Sequence, residues 1–305
     1  MNAIEIRARL DPATASGIAT TLTENLPAGP VTVAQARELD ERLAVRAPAP
    51  APAVEQVPGA AGSTVQLRRF GAADGAAVIL WIHGGGMFLG SAAVDDAFGA
   101  DLSERLDTPV VSVDYRLAPE HPYPAALDDC RTALDWCASR YDAVIVAGGS
   151  AGGGLAAALT IAERDAGGSR IAASHLYYPM LDDRHSTPSS VELAETPVWD
   201  RRLSELAWGA YLDGSPADAY AAPARAVDLS GLPPTYLDVG ELDLFRDEVA
   251  EFAARLAAAG VEVEFSLEPG FLHAGELVAP DSPRSIDVVA RRHAALQRDL
   301  GRVTA

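Results

Sequence analysis

The chain has 305 residues, 49% of them hydrophobic, which is enough for one large core or two smaller ones. Its 43 acidic residues outnumber its 24 basic residues, all of which are arginine, and the formal net charge is −19. A surface this negative repels nucleic acid and anionic membranes, so we predict neither as a partner. The absence of lysine is typical of both GC-rich coding and halophilic adaptation, and composition alone does not separate them.

The two cysteines, Cys130 and Cys137, lie seven positions apart in a stretch that we interpret as helix. Their Cα atoms are then about 10 Å apart, beyond the roughly 7 Å that a disulfide tolerates. The chain shows neither a signal-peptide pattern nor a run of about 18 apolar residues. These features predict a cytoplasmic protein whose two cysteines do not pair.

Residues 1 to about 46 have the pattern of amphipathic helix, with breaks at Pro12 and around Pro27 to Pro30. Thr32 is a candidate N-cap for a helix that begins near Val33. The alternating Ala-Pro run of residues 47–52 is typical of a stiff, polyproline-like connector. We predict that this connector separates the N-terminal helices from the main sheet.

Short apolar runs then alternate with longer helical stretches. Seven runs are typical of strands: Thr64–Phe70, Val78–Ile82, Val110–Asp114, Val144–Ala147, Ser174–Tyr178, Thr235–Val239 and Glu262–Leu267. Five stretches are typical of helices: about Asp95–Leu106, Ala125–Ser139, Gly153–Asp165, Asp247–Ala259 and Ser285–Leu300. Several strand candidates are continuously apolar, which indicates burial on both faces of a parallel sheet. The alternation predicts a three-layer α/β fold in one domain spanning residues 1–305.

The alternating pattern lapses between Leu181 and about Pro223, where Trp199, Trp208 and Tyr211 recur at helix-like spacing. A large insertion between two strands often forms a lid over a site. The alternative is a satellite helix that packs its aromatic side chains onto the core. Both interpretations stay open at this point.

A serine lies on a glycine-rich turn directly after an apolar run. Val144–Ala147 is followed by Gly148-Gly-Ser150-Ala-Gly152 and then by an Ala- and Leu-rich helical stretch. A sharp strand-to-helix turn exposes the serine oxygen, and the flanking glycines relieve crowding. The alternative, a phosphate-binding turn, requires an acidic residue about 20 positions later at the end of the next strand. Because that strand ends in Tyr177-Tyr-Pro179, we predict instead that Ser150 is a nucleophile.

A second glycine-rich loop, His83-Gly-Gly-Gly86, follows the apolar run Val78–Ile82. Acyl transfer passes through a tetrahedral oxyanion, and preorganised backbone N–H groups stabilise it. We predict the amides of Gly84 and Gly85 as donors from this loop and the amide of Ala151 as a third. The alternative is a flexible loop without a role, but both glycine motifs follow a strand, which favours the oxyanion hole.

The serine requires a general base, and six histidines are available. Five have other interpretations: His83 in the oxyanion loop, His121 as structural, His175 in a core strand, His185 in the insertion and His293 in the last helix. His273 remains, in a loop after the strand candidate Glu262–Leu267. We predict His273 as the base.

A third motif is the twelve-residue block Tyr115-Arg-Leu-Ala-Pro-Glu-His-Pro-Tyr-Pro-Ala-Ala126. Together with the two glycine motifs, it resembles the hormone-sensitive-lipase family of α/β-hydrolases, in its bacterial family IV esterase branch. The resemblance implies a mostly parallel central sheet of about eight strands, helices on both faces and a helical cap, which we assign to about residues 1–46 and 182–223. Two positions depart from the family pattern, namely Gly149, where Asp or Thr is usual, and Gly154, where Asn is common.

The resemblance also indicates the acid that orients the base. Gly240-Glu-Leu-Asp-Leu-Phe-Arg-Asp-Glu248 is similar to a family motif whose first Asp corresponds to Asp243. Glu241 and Asp247 are competitors, and we predict that Asp247 caps the next helix instead. The order Ser150, Asp243, His273 is the order of an α/β-hydrolase triad.

The resulting hypothesis is a serine carboxylic-ester hydrolase that works through an acyl-enzyme and requires neither a metal nor an organic cofactor. The resemblance implies short to medium acyl esters and a candidate homodimer, which could pair through an edge strand at Glu262–Leu267. Candidate pocket residues are Met87, Phe88, Leu89, Trp199 and Trp208. The alternatives are a hydrolase of amides, lactones or carbamates, and a non-catalytic relative that binds a small molecule.

Overall fold

The computed structural model describes residues 1, 3–27, 29–43 and 48–304, and an eight-stranded sheet forms its centre. The strands are β1 (Ala53–Pro58), β2 (Thr64–Phe70), β3 (Gly75–Ile82), β4 (Val110–Asp114), β5 (Tyr141–Gly149), β6 (Ile171–Tyr177), β7 (Thr235–Gly240) and β8 (Val263–Glu268). Their spatial order is β1-β2-β4-β3-β5-β6-β7-β8. Strand β2 is antiparallel to both neighbours and the other pairs are parallel, so the predicted mostly parallel sheet is confirmed.

Seven strands match the predicted runs, and β1 is an addition. Strand β1 is an edge strand whose side chains are largely exposed, and its sequence Ala-Val-Glu-Gln-Val-Pro lacks the apolar run of the central strands. It pairs with β2 from Ala53 opposite Arg69 to Pro58 opposite Thr64. The Ala-Pro connector leads directly into it, with residues 48–52 in neither helix nor strand and residue 47 outside the described residues.

The helices of the described residues are α1 (Ala3–Arg7), α2 (Pro12–Gly17), α3 (Leu22–Asn25), α4 (Val33–Leu43), α5 (Asp96–Leu106), α6 (Ala125–Ala138), α7 (Ala151–Asp165), α8 (Pro188–Glu192), α9 (Arg201–Leu212), α10 (Arg246–Ala258), α11 (Gly275–Val278) and α12 (Pro283–Val303). The five predicted helices correspond to α5, α6, α7, α10 and α12. Cys130 and Cys137 are both free and buried in α6, which confirms that they do not pair.

Helices cover both faces of the sheet. Thr160 of α7 hydrogen-bonds Ser174 of β6 at 2.9 Å, whereas Asp299 of α12 lies 3.0 Å from His175, the next residue along that strand. Successive side chains of a strand point to opposite faces, so α7 and α12 lie on opposite sides. The predicted three-layer arrangement is therefore confirmed.

One predicted helix cap is wrong. Helix α10 begins at Arg246, and Phe245 occupies the cap position. Asp247 lies inside the first turn, and its carboxylate accepts a hydrogen bond of 2.7 Å from the backbone N of Ser189. Its acidic character suits the helix N-terminus, but its side chain contacts another segment instead of closing its own helix.

The N-terminal helices pack against the insertion between β6 and β7. Thr32 caps α4 as predicted, because its hydroxyl accepts from the backbone N of Gln35. Val198 in the insertion donates its backbone N–H to Thr23 at 2.8 Å. A separate apolar cluster joins the N-terminal segment to the insertion and to the two loops that follow β7 and β8: Ile6, Ile18, Leu193, Leu242 and Leu272. No helix in the described ranges is long and apolar enough to cross a membrane.

The buried pair of His175 and Asp299 couples stability to pH. Burial lowers the pKa of His175 from its ordinary value of 6.5. Burial alone would raise the pKa of Asp299, but its hydrogen bond from His175 lowers it. His175 therefore gains its proton at a lower pH in the folded chain than in the unfolded chain. Its contribution to stability is present above pH 6.5 and is lost as pH falls toward the lowered pKa of the folded state.

We expect His175→Gln to flatten the dependence of the thermal unfolding midpoint on pH between about 7.5 and 5, relative to the unchanged protein. Each unit of pKa difference corresponds to about 1.4 kcal/mol. The comparison must be relative, because acidification also relaxes the self-repulsion of a chain with net charge −19. His121 is exposed, so His121→Gln is the control, and its thermal midpoint should depend on pH as in the unchanged protein. Equal slopes in all three proteins would contradict the assignment.

Candidate active site

Ser150 lies on a sharp turn between β5 and α7. Its φ of 56° and ψ of −120° are rare for a residue with a side chain, and surrounding hydrogen bonds maintain them. Its N–H donates to the Tyr177 carbonyl at 2.9 Å, and its carbonyl accepts from Gly154 and Met180 at 3.0 Å each. Its side chain makes no capping bond to α7, so the Oγ atom is free for another partner.

The turn packs closely on the neighbouring strand end. A Cβ atom at Gly152 would lie 2.0 Å from the carbonyl oxygen of Ile82, a distance that no side chain tolerates. A Cβ atom at Gly84 would lie 3.5 Å from Cβ of Ser150. Because β3 and β5 are parallel neighbours, the loops at their carboxyl ends meet. The two glycine motifs of the sequence therefore form one site.

The histidine and carboxylate predicted from the sequence reach the same place. The Oγ atom of Ser150 lies 2.9 Å from Nε2 of His273, and Nδ1 of His273 lies 2.8 Å from Oδ2 of Asp243. The other carboxylate oxygen of Asp243 accepts from the backbone N of Phe245 at 2.9 Å. Ser150, His273 and Asp243 are 6%, 3% and 0% exposed, respectively, so their hydrogen bonds lie in a low-dielectric environment.

The two competing carboxylates have other partners. Glu241 forms an ion pair with Arg9 and accepts from the backbone N of Gly270 at 2.8 Å. Asp247 binds Ser189 and forms an ion pair with Arg246. Of the three candidates, Asp243 alone hydrogen-bonds to His273 within the described part of the chain.

Two stacked aromatic rings pack against each other at the start of the loop after β3. His83 lies parallel to Tyr115 with ring centroids 4.1 Å apart, and the Tyr115 hydroxyl donates to the His83 carbonyl at 3.0 Å. Burial lowers the pKa of His83, which keeps its ring neutral. Among the described residues, the amides of Gly84 and Gly85 donate to no protein acceptor. Ala151 is the first residue of α7, where amides have no partner within the helix.

The five predicted pocket residues do not all lie together. Trp199 lies with its ring centroid 6.3 Å from His273 and 6.3 Å from Phe88, and it covers Gly86. Phe88 and Leu89 also line a cavity of about 480 Å³, but neither Trp199 nor His273 is among the residues that line it. Met87 is buried, and its carbonyl accepts from the backbone N of Ala118.

Trp208 lies elsewhere. It is part of α9, whereas Trp199 precedes that helix, so the helix-like spacing of the aromatic residues is only partly realised. Trp208 lines a separate surface cleft of about 340 Å³ with His185 and Glu205. The position of Trp208 therefore gives no support to a role in the Ser150 pocket.

Comparison with known proteins identifies the family. A family model described as alpha/beta hydrolase fold matches residues 79–276. The carboxylesterase NlhH of Mycobacterium tuberculosis strain H37Rv is 38% identical over 242 residues, which cover 74% of this chain and 75% of NlhH. The chain belongs to the hormone-sensitive-lipase-like branch of the α/β-hydrolases. The predicted fold class and family are thereby confirmed.

Solved structures extend the likeness over the whole fold. A bacterial heroin esterase aligns with a TM-score of 0.87 and 35% identity, covering 96% of this chain and 98% of its own. A hyperthermophilic esterase from the archaeon Pyrobaculum calidifontis aligns with a TM-score of 0.86 and 31% identity, covering 95% and 98%. The chain is accordingly a carboxylesterase-type hydrolase.

Two residues beside the site were missed by the sequence interpretation. The ring of Tyr178 packs against His273 with centroids 4.8 Å apart, and its hydroxyl donates to Glu276 at 2.6 Å. Tyr178 ends a predicted strand, and Glu276 lies in the short helix α11 directly after the His273 loop, so neither stood out as a polar residue in a motif. The only signal in the sequence was the departure from the family pattern at Gly149.

Proposed function

We propose that this carboxylesterase uses Ser150 as nucleophile, His273 as general base and Asp243 as the carboxylate that orients the imidazole. The observation that carries the proposal is the unbroken line of hydrogen bonds from Ser150 through His273 to Asp243. His273 takes the proton while Ser150 attacks the ester carbonyl, and it returns the proton to the departing alcohol. Water then releases the acid from the acyl-enzyme by the same route. The buried carboxylate stabilises the imidazolium that forms in each step.

The amides of Gly84, Gly85 and Ala151 complete the proposal as donors to the oxyanion. Their support is position, because Gly84 packs against Ser150 and Ala151 follows it. A second line of support is that, in the described structure, the amides of Gly84 and Gly85 donate to no other acceptor. Removing one donor of this kind typically costs about 3–4 kcal/mol of transition-state stabilisation.

We further propose short to medium acyl esters as substrates, with Phe88 and Trp199 as walls of the pocket and Met87 and Leu89 beside them. Trp199 is 5% exposed, and its indole N–H has no hydrogen-bond partner within the described chain. We propose esters as substrates, and not amides, lactones or carbamates, because the relatives are named as esterases.

The proposal is tested by combining turnover with covalent labelling. We expect the purified protein to hydrolyse p-nitrophenyl acetate and butyrate faster than the palmitate, and to react with a fluorophosphonate at one serine. Peptide mass mapping should locate the label on Ser150. A protein that neither labels nor turns over these esters would be the non-catalytic relative, and a label on another serine would refute the assignment. A panel of amides, lactones and carbamates with matched acyl groups tests the preference for esters.

The cap, the oligomeric state and the location are also proposals. Contacts between the N-terminal segment and the insertion support a cap built from about residues 1–46 and 182–223.

Strand β8 is at the sheet edge and exposes Phe265 and Leu267, which supports a homodimer that pairs through it. Sedimentation velocity measures that state, and a monomer at micromolar concentration would refute the dimer. The cytoplasmic location stays a prediction from sequence, which cell fractionation would test.

A further inference from the structure

Gly149 leaves room beside the nucleophile, and the ring of Tyr178 occupies that room. A Cβ atom built at Gly149 would lie 3.2 Å from Oη and 3.3 Å from Cε2 of Tyr178. These distances are shorter than ordinary van der Waals contacts, so a larger residue at position 149 would press on the ring. The departure from the family pattern at Gly149 is thus matched by a large side chain next to it.

The same ring contacts the base. The rings of Tyr178 and His273 meet edge-to-face, with centroids 4.8 Å apart and planes at 64°. Tyr178 directly follows β6, and its φ of 37° is unusual for a residue with a side chain. Its backbone N–H donates to the Asp238 carbonyl at 2.8 Å, which fixes this conformation. The position of the ring is therefore set by its backbone as well as by its packing.

A buried network holds the far end of Tyr178. Its hydroxyl donates to Oε1 of Glu276 at 2.6 Å, and Arg292 donates to the same oxygen at 2.6 Å. Arg292 also makes two hydrogen bonds, of 2.6 and 2.9 Å, to Asp238. Burial raises the pKa of Tyr178 well above its usual range. Burial alone would raise the pKa of Glu276, but Arg292 beside it holds that pKa below its usual range. The neutral hydroxyl of Tyr178 therefore faces an ionised carboxylate at Glu276.

The network connects the end of β6 and helix α12 to the segment that follows the base. Glu276 lies three residues after His273, Tyr178 follows β6, and Arg292 belongs to α12. The guanidinium of Arg292 also lies 5.1 Å from the centre of the Tyr178 ring. Any movement of the His273 loop away from Ser150 would therefore break hydrogen bonds in a buried site, which is costly.

We propose that Tyr178 is a positioning residue that keeps His273 in line with Ser150, and that the missing side chain at Gly149 lets its ring lie beside the nucleophile. The inference rests on the proposed function, since the position of His273 matters only if it is the base. Tyr178 acts through the imidazole and needs no contact with the ester. A misplacement of about 1 Å in such a site lowers the rate by about 100-fold.

A double-mutant cycle tests the proposal. We expect Tyr178→Ala to lower kcat for p-nitrophenyl butyrate by about 100-fold with KM changed less than about threefold, because the base acts in the chemical step. Gly149→Ala should lower kcat by about tenfold in the original protein. It should have less than about a twofold effect in the Tyr178→Ala background, where the ring is absent. Additive effects, or a loss confined to KM, would overturn the inference.

Two conservative variants keep the test decisive if Tyr178→Ala fails to fold. Tyr178→Phe retains the ring and loses the anchor, and Glu276→Gln removes the charge that receives the hydroxyl. Each should lower kcat about three- to tenfold at unchanged KM, corresponding to a small loss of alignment. Unchanged kcat in both would overturn the inference.

The matched control is Tyr236→Phe. The Tyr236 hydroxyl donates to Asp238 of the same network at 3.2 Å, and its ring packs on His175 and Tyr177. Its kcat should stay within about twofold of the original, although its thermal midpoint should fall through the lost hydrogen bond. A loss of kcat equal to that of Tyr178→Phe would show a purely structural effect. If the unchanged protein neither hydrolyses esters nor labels at Ser150, the proposed function fails; if it does both and the cycle is additive, only this inference fails.

Discussion

Replacing Ser150 with alanine is expected to lower kcat for p-nitrophenyl ester hydrolysis by about 10⁶-fold and to abolish fluorophosphonate labelling. Without the hydroxyl there is no acyl-enzyme, and His273 has no proton to accept from position 150. Alanine has the same backbone constraints as serine at a φ of 56°, so the fold should persist. A residual rate of about 10³–10⁴ over water is expected from the oxyanion donors and substrate binding. The measurement is steady-state kinetics together with a thermal unfolding curve.

Ser190→Ala is the matched control for this result. Ser190 is also buried, and its hydroxyl donates to the Thr187 carbonyl at 2.7 Å, within the insertion. Its loss should cost about 1 kcal/mol of stability and leave kcat within about twofold. If Ser150→Ala retained kcat, or if both variants lost kcat equally, Ser150 could not be the nucleophile.

Asp243→Asn is expected to lower kcat by about 10⁴-fold with a small change in KM. The Nδ1 atom of His273 lies 2.8 Å from Asp243, and an amide in that place can donate to Nδ1 and so stabilise the wrong tautomer. The proton then sits on Nε2, which can no longer accept one from Ser150. Initial rates at saturating ester measure the loss.

Glu241→Gln and Asp247→Asn are the controls, because both carboxylates compete with Asp243 in the sequence. Each lies within four residues of Asp243 and has partners away from His273. Their kcat values should stay within about threefold, although the thermal midpoints should fall slightly through the weakened ion pairs. If either control lost as much rate as Asp243→Asn, the acid would have to be reassigned.

Local patterns were enough to predict most of the sheet and both glycine motifs. Central strands such as β3 are continuously apolar because helices cover both faces, so their pattern is independent of their neighbours. Strand β1 was missed because an edge strand with exposed side chains leaves no apolar run, and its existence depends on pairing with β2. The cap predicted at Asp247 was wrong for a similar reason. Its acidic side chain suits a helix N-terminus, but the local sequence does not show its partner at Ser189.

The amino-acid sequence by itself determined seven strands and five helices in their order along the chain, the turn at Ser150 and the glycine loop after β3. These features depend on steric crowding and apolar periodicity within a few residues. Only the tertiary structure decided which aromatic side chains reach the site and that Tyr178 fills the space at Gly149. The physical reason is distance along the chain: Ser150 and His273 are 123 positions apart, and Tyr178 and Glu276 are 98 apart. Such contacts form only when parallel strands bring their carboxyl ends to one edge of the sheet.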